Sequence, residues 1–193
     1  MKLAKKHLNL APILVIISLL SCTTRSLKEH RPEQWAQKIT ERPFHNLYKV
    51  NDSIYRSDRP LDLGFNFLQE NKIASVLDLR RKHKDLITVK HSHYKGNLYA
   101  VSMKATKVTD KEIIQVLRIL KTAPKPILVH CTYGSDRTGV VMAMYRIVFE
   151  DWSKDQAIEE MKRGNYDYHW LFHNLIRYIH QSDISYIKEQ VLQ

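Results

Sequence analysis

Apolar positions along this chain recur with two spacings, and their order outlines a fold. Residues 73–79 and 127–129 are short, nearly continuous apolar runs, the pattern of strands buried on both faces. Residues 97–102 read as another strand. Residues 47–50 and 53–56 flank Asn51-Asp52, a turn-forming pair, and read as a hairpin. Elsewhere the spacing becomes helical, over residues 63–70, 109–121, 138–149, 153–163 and about 169–188. Thr109 with Glu112 has the form of a capping box, and Pro124 and Pro126 bracket the end of the helix it opens. Residues 32–39 read as a short helix with Pro32 at a tolerated early position. Residues 140–149 are apolar nearly all round, so that helix should be central and buried. Strands alternating with helices predict an α/β fold: a single domain with a central, largely parallel sheet flanked by helices.

The N-terminus follows a different rule. Lys2, Lys5 and Lys6 form a basic start, and residues 10–20 are apolar apart from Pro12 and Ser18. That is the length of a secretory signal and short for a membrane span. Leu19-Leu20-Ser21-Cys22 resembles the lipobox of bacterial lipoproteins. The resemblance implies cleavage before Cys22, lipidation of its thiol, and export as a membrane-anchored protein. The anchored protein would belong to the outer membrane or periplasm if the source is Gram-negative. The expected organisation is a signal peptide over 1–21, a lipidated tether over 22–31, and a catalytic domain over 32–193. About 170 residues then remain, enough for one domain with a real core.

Lipidation would consume one of the chain's two cysteines and leave Cys131 without a disulfide partner. The formal net charge of +11 falls to +8 once the three lysines of residues 1–21 are removed. A basic surface collects polyanions. Nucleic acid is not expected as a partner, because the chain has no zinc-finger spacing, basic helix or aromatic RNA-binding motif.

The chemistry concentrates in His130-Cys131-Thr132-Tyr133-Gly134-Ser135-Asp136-Arg137-Thr138-Gly139. Five residues separate the thiol from the arginine, between an apolar strand and an apolar helix. A helix N-terminus holds anions through backbone N–H groups and its dipole. The same field lowers the pKa of a thiol. Arg137 is forked and permanently charged, suited to two oxygens of one phosphate. A nucleophile beside an oxyanion cradle suits phosphoryl transfer through a phosphocysteine.

The segment resembles the H-C-x-x-G-x-x-R-[ST] signature of the cysteine-dependent protein tyrosine phosphatase superfamily. The wider match is to bacterial members of its dual-specificity group. It includes Tyr55-Arg56-Ser57, Leu79-Arg80 at a strand end, and Trp152-Ser153 with Ala157, and covers roughly residues 32–179. The resemblance implies a hydrolase of phosphate monoesters that needs no metal and no cofactor. Cys131 attacks phosphorus, while Arg137 and the N–H groups of Thr132, Tyr133, Gly134, Ser135 and Asp136 hold the oxygens. Thr138 gives a hydroxyl hydrogen bond to the thiolate, and His130 supports the loop from behind. Arg56, Arg80 and Lys104 are candidate substrate contacts, with locking of loops as the alternative for Arg56 and Arg80. Tyr166-Asp167-Tyr168-His169 is expected to pack under the loop, with catalysis there as the lesser alternative.

The general acid is the open position. In most of the superfamily it is an Asp on a loop that corresponds here to residues 101–110, where Asp110 is the one acid. Asp136, inside the signature, is the rival and the preferred candidate, as in the Asp-Arg loops of myotubularin-like phosphatases. Expected substrates are phosphotyrosyl or other phosphorylated proteins. The alternative is an inositol phosphate or phosphoinositide, which the run Arg81-Lys82-His83-Lys84 would suit as a basic rim. Arsenate reduction would need further cysteines. A non-catalytic phospho-ligand module would not need Cys131 and Arg137 together.

Overall fold

The computed structural model describes residues 31–40 and 42–193. The signal-peptide and lipobox readings, Cys22 included, lie outside the described residues. Strands β1 (Gln37–Lys38), β2 (Tyr48–Lys49), β3 (Ile54–Ser57), β4 (Ser75–Asp78), β5 (Asn97–Ala100) and β6 (Ile127–His130) form one sheet in the order β1-β2-β3-β6-β4-β5. From β3 to β5 the pairing is parallel, while β1, β2 and β3 pair antiparallel. The sheet is therefore largely parallel, with a hairpin edge where Asn51 turns the chain by accepting from the N–H groups of Ser53 and Ile54.

The helices are α1 (Asp62–Glu70), α2 (Asp85–Thr88), α3 (Asp110–Thr122), α4 (Asp136–Phe149), α5 (Lys154–Arg163), α6 (His173–Gln181) and α7 (Ile184–Leu192). Strand alternation divides the core. Leu77, Ile127 and Val129 pack with α3–α7, whereas Val76 and Leu128 face Phe65 and Leu68 of α1. Both β4 and β6 are buried at every position, as continuous apolar runs require of central parallel strands. Helix α4 is buried along nearly its whole length in the larger layer. The capping boxes of α3 (Thr109, Glu112) and α5 (Ser153, Gln156) are both formed.

Two expectations fail locally. Residues 32–39 do not form a helix. The Ile39 N–H donates to the Leu47 carbonyl at 3.0 Å and Gln37–Lys38 extends the hairpin, so edge pairing overrides local propensity. The single helix expected over about 169–188 is three pieces: a 3₁₀ turn (Trp170–Phe172), α6 and α7. Ser182 and Asp183 break it. Asp183 accepts from the Tyr186 N–H at 3.0 Å and starts α7 anew, the ordinary N-cap role of an Asp.

Candidate active site

Strand β6 lies between β3 and β4, so its carboxyl end opens at the centre of the sheet. That is where open α/β sheets bind ligands. Cys131 is the first residue beyond β6 and is 3% exposed. The chain then turns through residues 132–135 into α4, which begins at Asp136. Gly134 has φ +75, and a Cβ there would lie 2.5 Å from the Ser57 carbonyl carbon. Only glycine lets the loop seat this tightly on the end of β3. Among the described residues, no carbonyl or side chain accepts from the backbone N–H groups of residues 132–138. The first N–H groups of a helix have no partner within it, and together with those of the loop they form a row of donors suited to an anion. The Arg137 guanidinium lies beside it, donating to Thr132 Oγ1 at 3.0 Å. The Thr138 hydroxyl is buried and unpartnered among the described residues. The expected hydrogen bond from it to Cys131 is not made.

Two buried polar networks hold the loop's shape. Behind Cys131, the His130 ring places Nε2 2.7 Å from Asp85 Oδ2 and Nδ1 3.0 Å from the Cys131 carbonyl oxygen. Arg80 donates to both oxygens of Asp78 at 2.9 Å and also bonds Asp85. Burial would raise the Asp78 pKa, but the Arg80 bonds outweigh it and hold the carboxyl below its ordinary value. The donor atoms of Asp78, Asp85 and His130 lie within 4.8 Å of one another, close enough for a metal. Arg80 already supplies the cation there. On the other side, Arg56 is 1% exposed and donates to the Gly134 carbonyl at 2.6 Å. Its guanidinium lies 3.5 Å from the Tyr166 ring centroid. The Tyr166 hydroxyl donates to Glu160, which also binds Arg146 and the Ala36 N–H. Burial lowers the Arg56 pKa and raises that of Tyr166.

Several expected site residues change role with this geometry. Of the two roles open to Arg56 and Arg80, the geometry favours locking loops over contacting substrate: both guanidinium groups are buried against Gly134, Tyr166, Asp78 and Asp85. Lys104 is exposed and bridges to Lys107 across a tight turn. Asp110 accepts from the Tyr178 hydroxyl at 2.7 Å and lines a groove with Ile114 and Tyr186, away from the loop. Asp136 is buried and fully engaged: Oδ1 accepts the His169 N–H at 3.0 Å, and Oδ2 lies 2.9 Å from His169 Nδ1. The segment 166–169 therefore packs beside the loop as well as under it.

An open cavity of about 990 Å³ adjoins the loop on the β3 side, walled by Phe44, Leu61, Leu63, Thr132, Tyr133 and His169. Tyr133 is 66% exposed, and Asn46 holds it in place by donating to its carbonyl at 2.8 Å. The sequence reading missed Asn46 and Asp85. Arg80 lies only five residues before Asp85, but the other partner of Asp85, His130, is 45 residues away in β6 and gave no signal. His169 stood in a segment already singled out, but its carboxylate partner lies 33 residues earlier.

A thiol at the floor of an anion cradle, between a central parallel strand and a buried helix, defines the cysteine-based phosphatase class of site. The family model described as Tyrosine phosphatase family matches residues 42–190, and the chain belongs to that family. It is 35% identical over 138 residues to the dual specificity protein phosphatase TpbA of Pseudomonas aeruginosa, covering 70% of this chain and 61% of that one. The chain thus spans less than two thirds of that relative. It is 32% identical over 129 residues to the inositol diphosphatase SIW14 of Saccharomyces cerevisiae, covering 63% of this chain and 46% of that one. The crystal structure of P. aeruginosa TpbA in complex with pTyr superposes with a TM-score of 0.75 at 27% identity, covering 84% of this chain and 99% of that one.

Proposed function

We propose that this protein hydrolyses phosphate monoesters through a phosphocysteine at Cys131, as a tyrosine or dual-specificity protein phosphatase. The observation that carries this reading is the row of unpartnered N–H groups over residues 132–138, with Cys131 at its start and Arg137 beside it. Cys131 attacks phosphorus, and the N–H groups and Arg137 hold the three other oxygens as charge spreads over them. Water then attacks the phosphocysteine, releasing phosphate and the thiolate. Neither step needs a metal or cofactor. Thr138, buried at the first turn of α4, is the hydroxyl at hand for the departing sulfur once the loop is occupied. The apolar walls of the neighbouring cavity suit the ring of a phosphotyrosine, and TpbA is by name a dual specificity protein phosphatase.

A second substrate class has its own support. Arg81, Lys82 and Lys84 follow β4, and Lys104 and Lys107 follow β5, all exposed at the edge where the loop opens. No acid lies in residues 79–84 or 101–109 to offset them. That bank suits an inositol phosphate or phosphoinositide, and SIW14 is an inositol diphosphatase by name. The test is phosphate release by the full chain from phosphotyrosyl and phosphoseryl peptides, inositol phosphates and phosphoinositides, with Cys131→Ser as the blank. Release from phosphotyrosyl peptide above the rest supports the first class. Preference for inositol substrates, lost in Lys82→Glu or Lys104→Glu, supports the second. A Cys131→Ser protein as fast as its parent sinks phosphocysteine chemistry.

We also propose that the chain is exported and lipid-anchored at Cys22. The basic start, the apolar run and the Leu-Leu-Ser-Cys sequence support this. Labelled fatty acid should enter the wild-type chain and not Cys22→Ala.

A further inference from the structure

Resting on the phosphatase reading above, we infer that His169 is the proton donor to the leaving oxygen, and that Asp136 acts by positioning it. The two expected acids are both committed elsewhere, Asp110 to Tyr178 and Asp136 to His169. Asp58 is occupied as well, accepting from the N–H groups of His45 and Asn46. Asp62 and Asp167 line the cavity, but no hydrogen bond among the described residues holds either carboxylate in place.

His169 is held at both ends. Its main-chain N–H and its ring Nδ1 are anchored to the two oxygens of one carboxylate, at 3.0 and 2.9 Å. Its ring sits between two aromatic neighbours, Tyr133 and Phe172, each 6.3 Å away between centroids. With Nδ1 turned to Asp136, Nε2 is free among the described residues. The ring lines the same cavity as Thr132, Tyr133 and Ser135, and its side chain is 49% exposed. Asp136 lies one residue before Arg137, so the carboxylate that orients His169 is part of the oxyanion cradle's own helix turn. A carboxylate bound to Nδ1 fixes the ring and stabilises the imidazolium.

In the first step the thiolate of Cys131 forms the S–P bond and the P–O bond to the leaving group breaks. The Nε2 proton of His169 passes to that oxygen, giving an alcohol or phenol and a neutral imidazole. In the second, neutral His169 accepts a proton from the water that attacks phosphorus. The S–P bond breaks, and phosphate, thiolate and imidazolium result. The charged and titratable groups around His169 are Asp136 from α4, Tyr133 from the loop, Asp167 from its own segment, and His45, Asp58, Arg59 and Asp62, which line the same cavity.

The test compares the full chain, His169→Asn and Asp136→Asn on phenyl phosphate and on p-nitrophenyl phosphate, whose leaving group needs a proton less. Rates are followed against pH, with Cys131→Ser as the blank. A positioned acid contributes about 10²–10⁴-fold. His169→Asn should therefore lose about 10²-fold or more on phenyl phosphate, under about 10-fold on p-nitrophenyl phosphate, and the fall in rate on the alkaline side should vanish. Asp136→Asn, which leaves the ring but removes its anchor, should lose rate on phenyl phosphate more than on p-nitrophenyl phosphate and keep that alkaline limb. Equal losses on both substrates, or an unchanged alkaline limb in His169→Asn, would overturn the assignment while the phosphatase reading stood. Hydrolysis that survives Cys131→Ser would instead overturn the phosphatase reading itself.

Discussion

Replacing Gly134 with alanine should damage the anion cradle more than any other one-methyl change in the molecule's glycines near the site. The backbone at Gly134 is left-handed, φ +75, which costs an L-residue roughly 1–2 kcal/mol. The added Cβ would also meet Ser57 C at 2.5 Å, Ser57 O at 2.6 Å and Asp58 N at 2.7 Å. All three are backbone atoms at the end of a central strand, so no side chain can swing aside. Overpacking of this kind costs about 1–3 kcal/mol. The combined penalty is about 2–5 kcal/mol, taken either as lost stability or as displacement of the loop. If the loop stays, thermal unfolding should begin roughly 5–15 °C lower in a domain of this size. If it moves, a shift of about 1 Å at the phosphate site should cost about 10²-fold in kcat/KM. Gly139→Ala is the control. Its Cβ would have the Met161 side chain as its nearest neighbour, at 3.1 Å from Cγ and with no backbone atom as close, inside a helix that favours alanine by about 1 kcal/mol. Unfolding midpoint and phosphate release should be measured for both variants. A Gly134→Ala protein within 2 °C and about twofold of its parent would refute the reasoning.

Other consequences can be measured in the same proteins. Asp85→Ala strips His130 and Arg80 of a buried acceptor and should cost about 3–5 kcal/mol in urea unfolding; a loss under about 1 kcal/mol would mean that Asp78 alone carries Arg80. The Asp78 carboxyl titrates lower in the folded chain than in the unfolded one, because its Arg80 bonds outweigh burial. Its contribution is therefore present above the unfolded pKa of about 4 and lost as pH falls through the folded value. Urea midpoints should drop between pH 6 and pH 3, less steeply in Asp78→Asn, and equal slopes would count against it. Asp110→Asn should keep phosphate release within about twofold, because its carboxylate faces Tyr178; a loss near 10²-fold would return it to the role of acid.

The sequence by itself determined what local chemistry can specify. The apolar runs at β4 and β6 announced buried strands because a strand covered on both faces must be apolar at every position. The capping boxes of α3 and α5 were legible because their partners lie three residues apart. Cys131, Gly134 and Arg137 could be recognised together for the same reason: an anion loop is one short stretch of chain. Tertiary structure decided everything that depends on distant partners. Whether Arg56 contacts substrate or locks a loop could not be read from the sequence, because its acceptor, the Gly134 carbonyl, lies 78 residues away. Asp136 looked like an acid because His169, which occupies both its oxygens, comes from a segment 33 residues away. Residues 32–39 lost their helix to a strand edge supplied by Tyr48 and Lys49. Period and spacing report what a residue can reach within a turn or two of chain. Burial, pairing and charge depend on what the folded sheet brings against it, and that is where the proton donor had to be found.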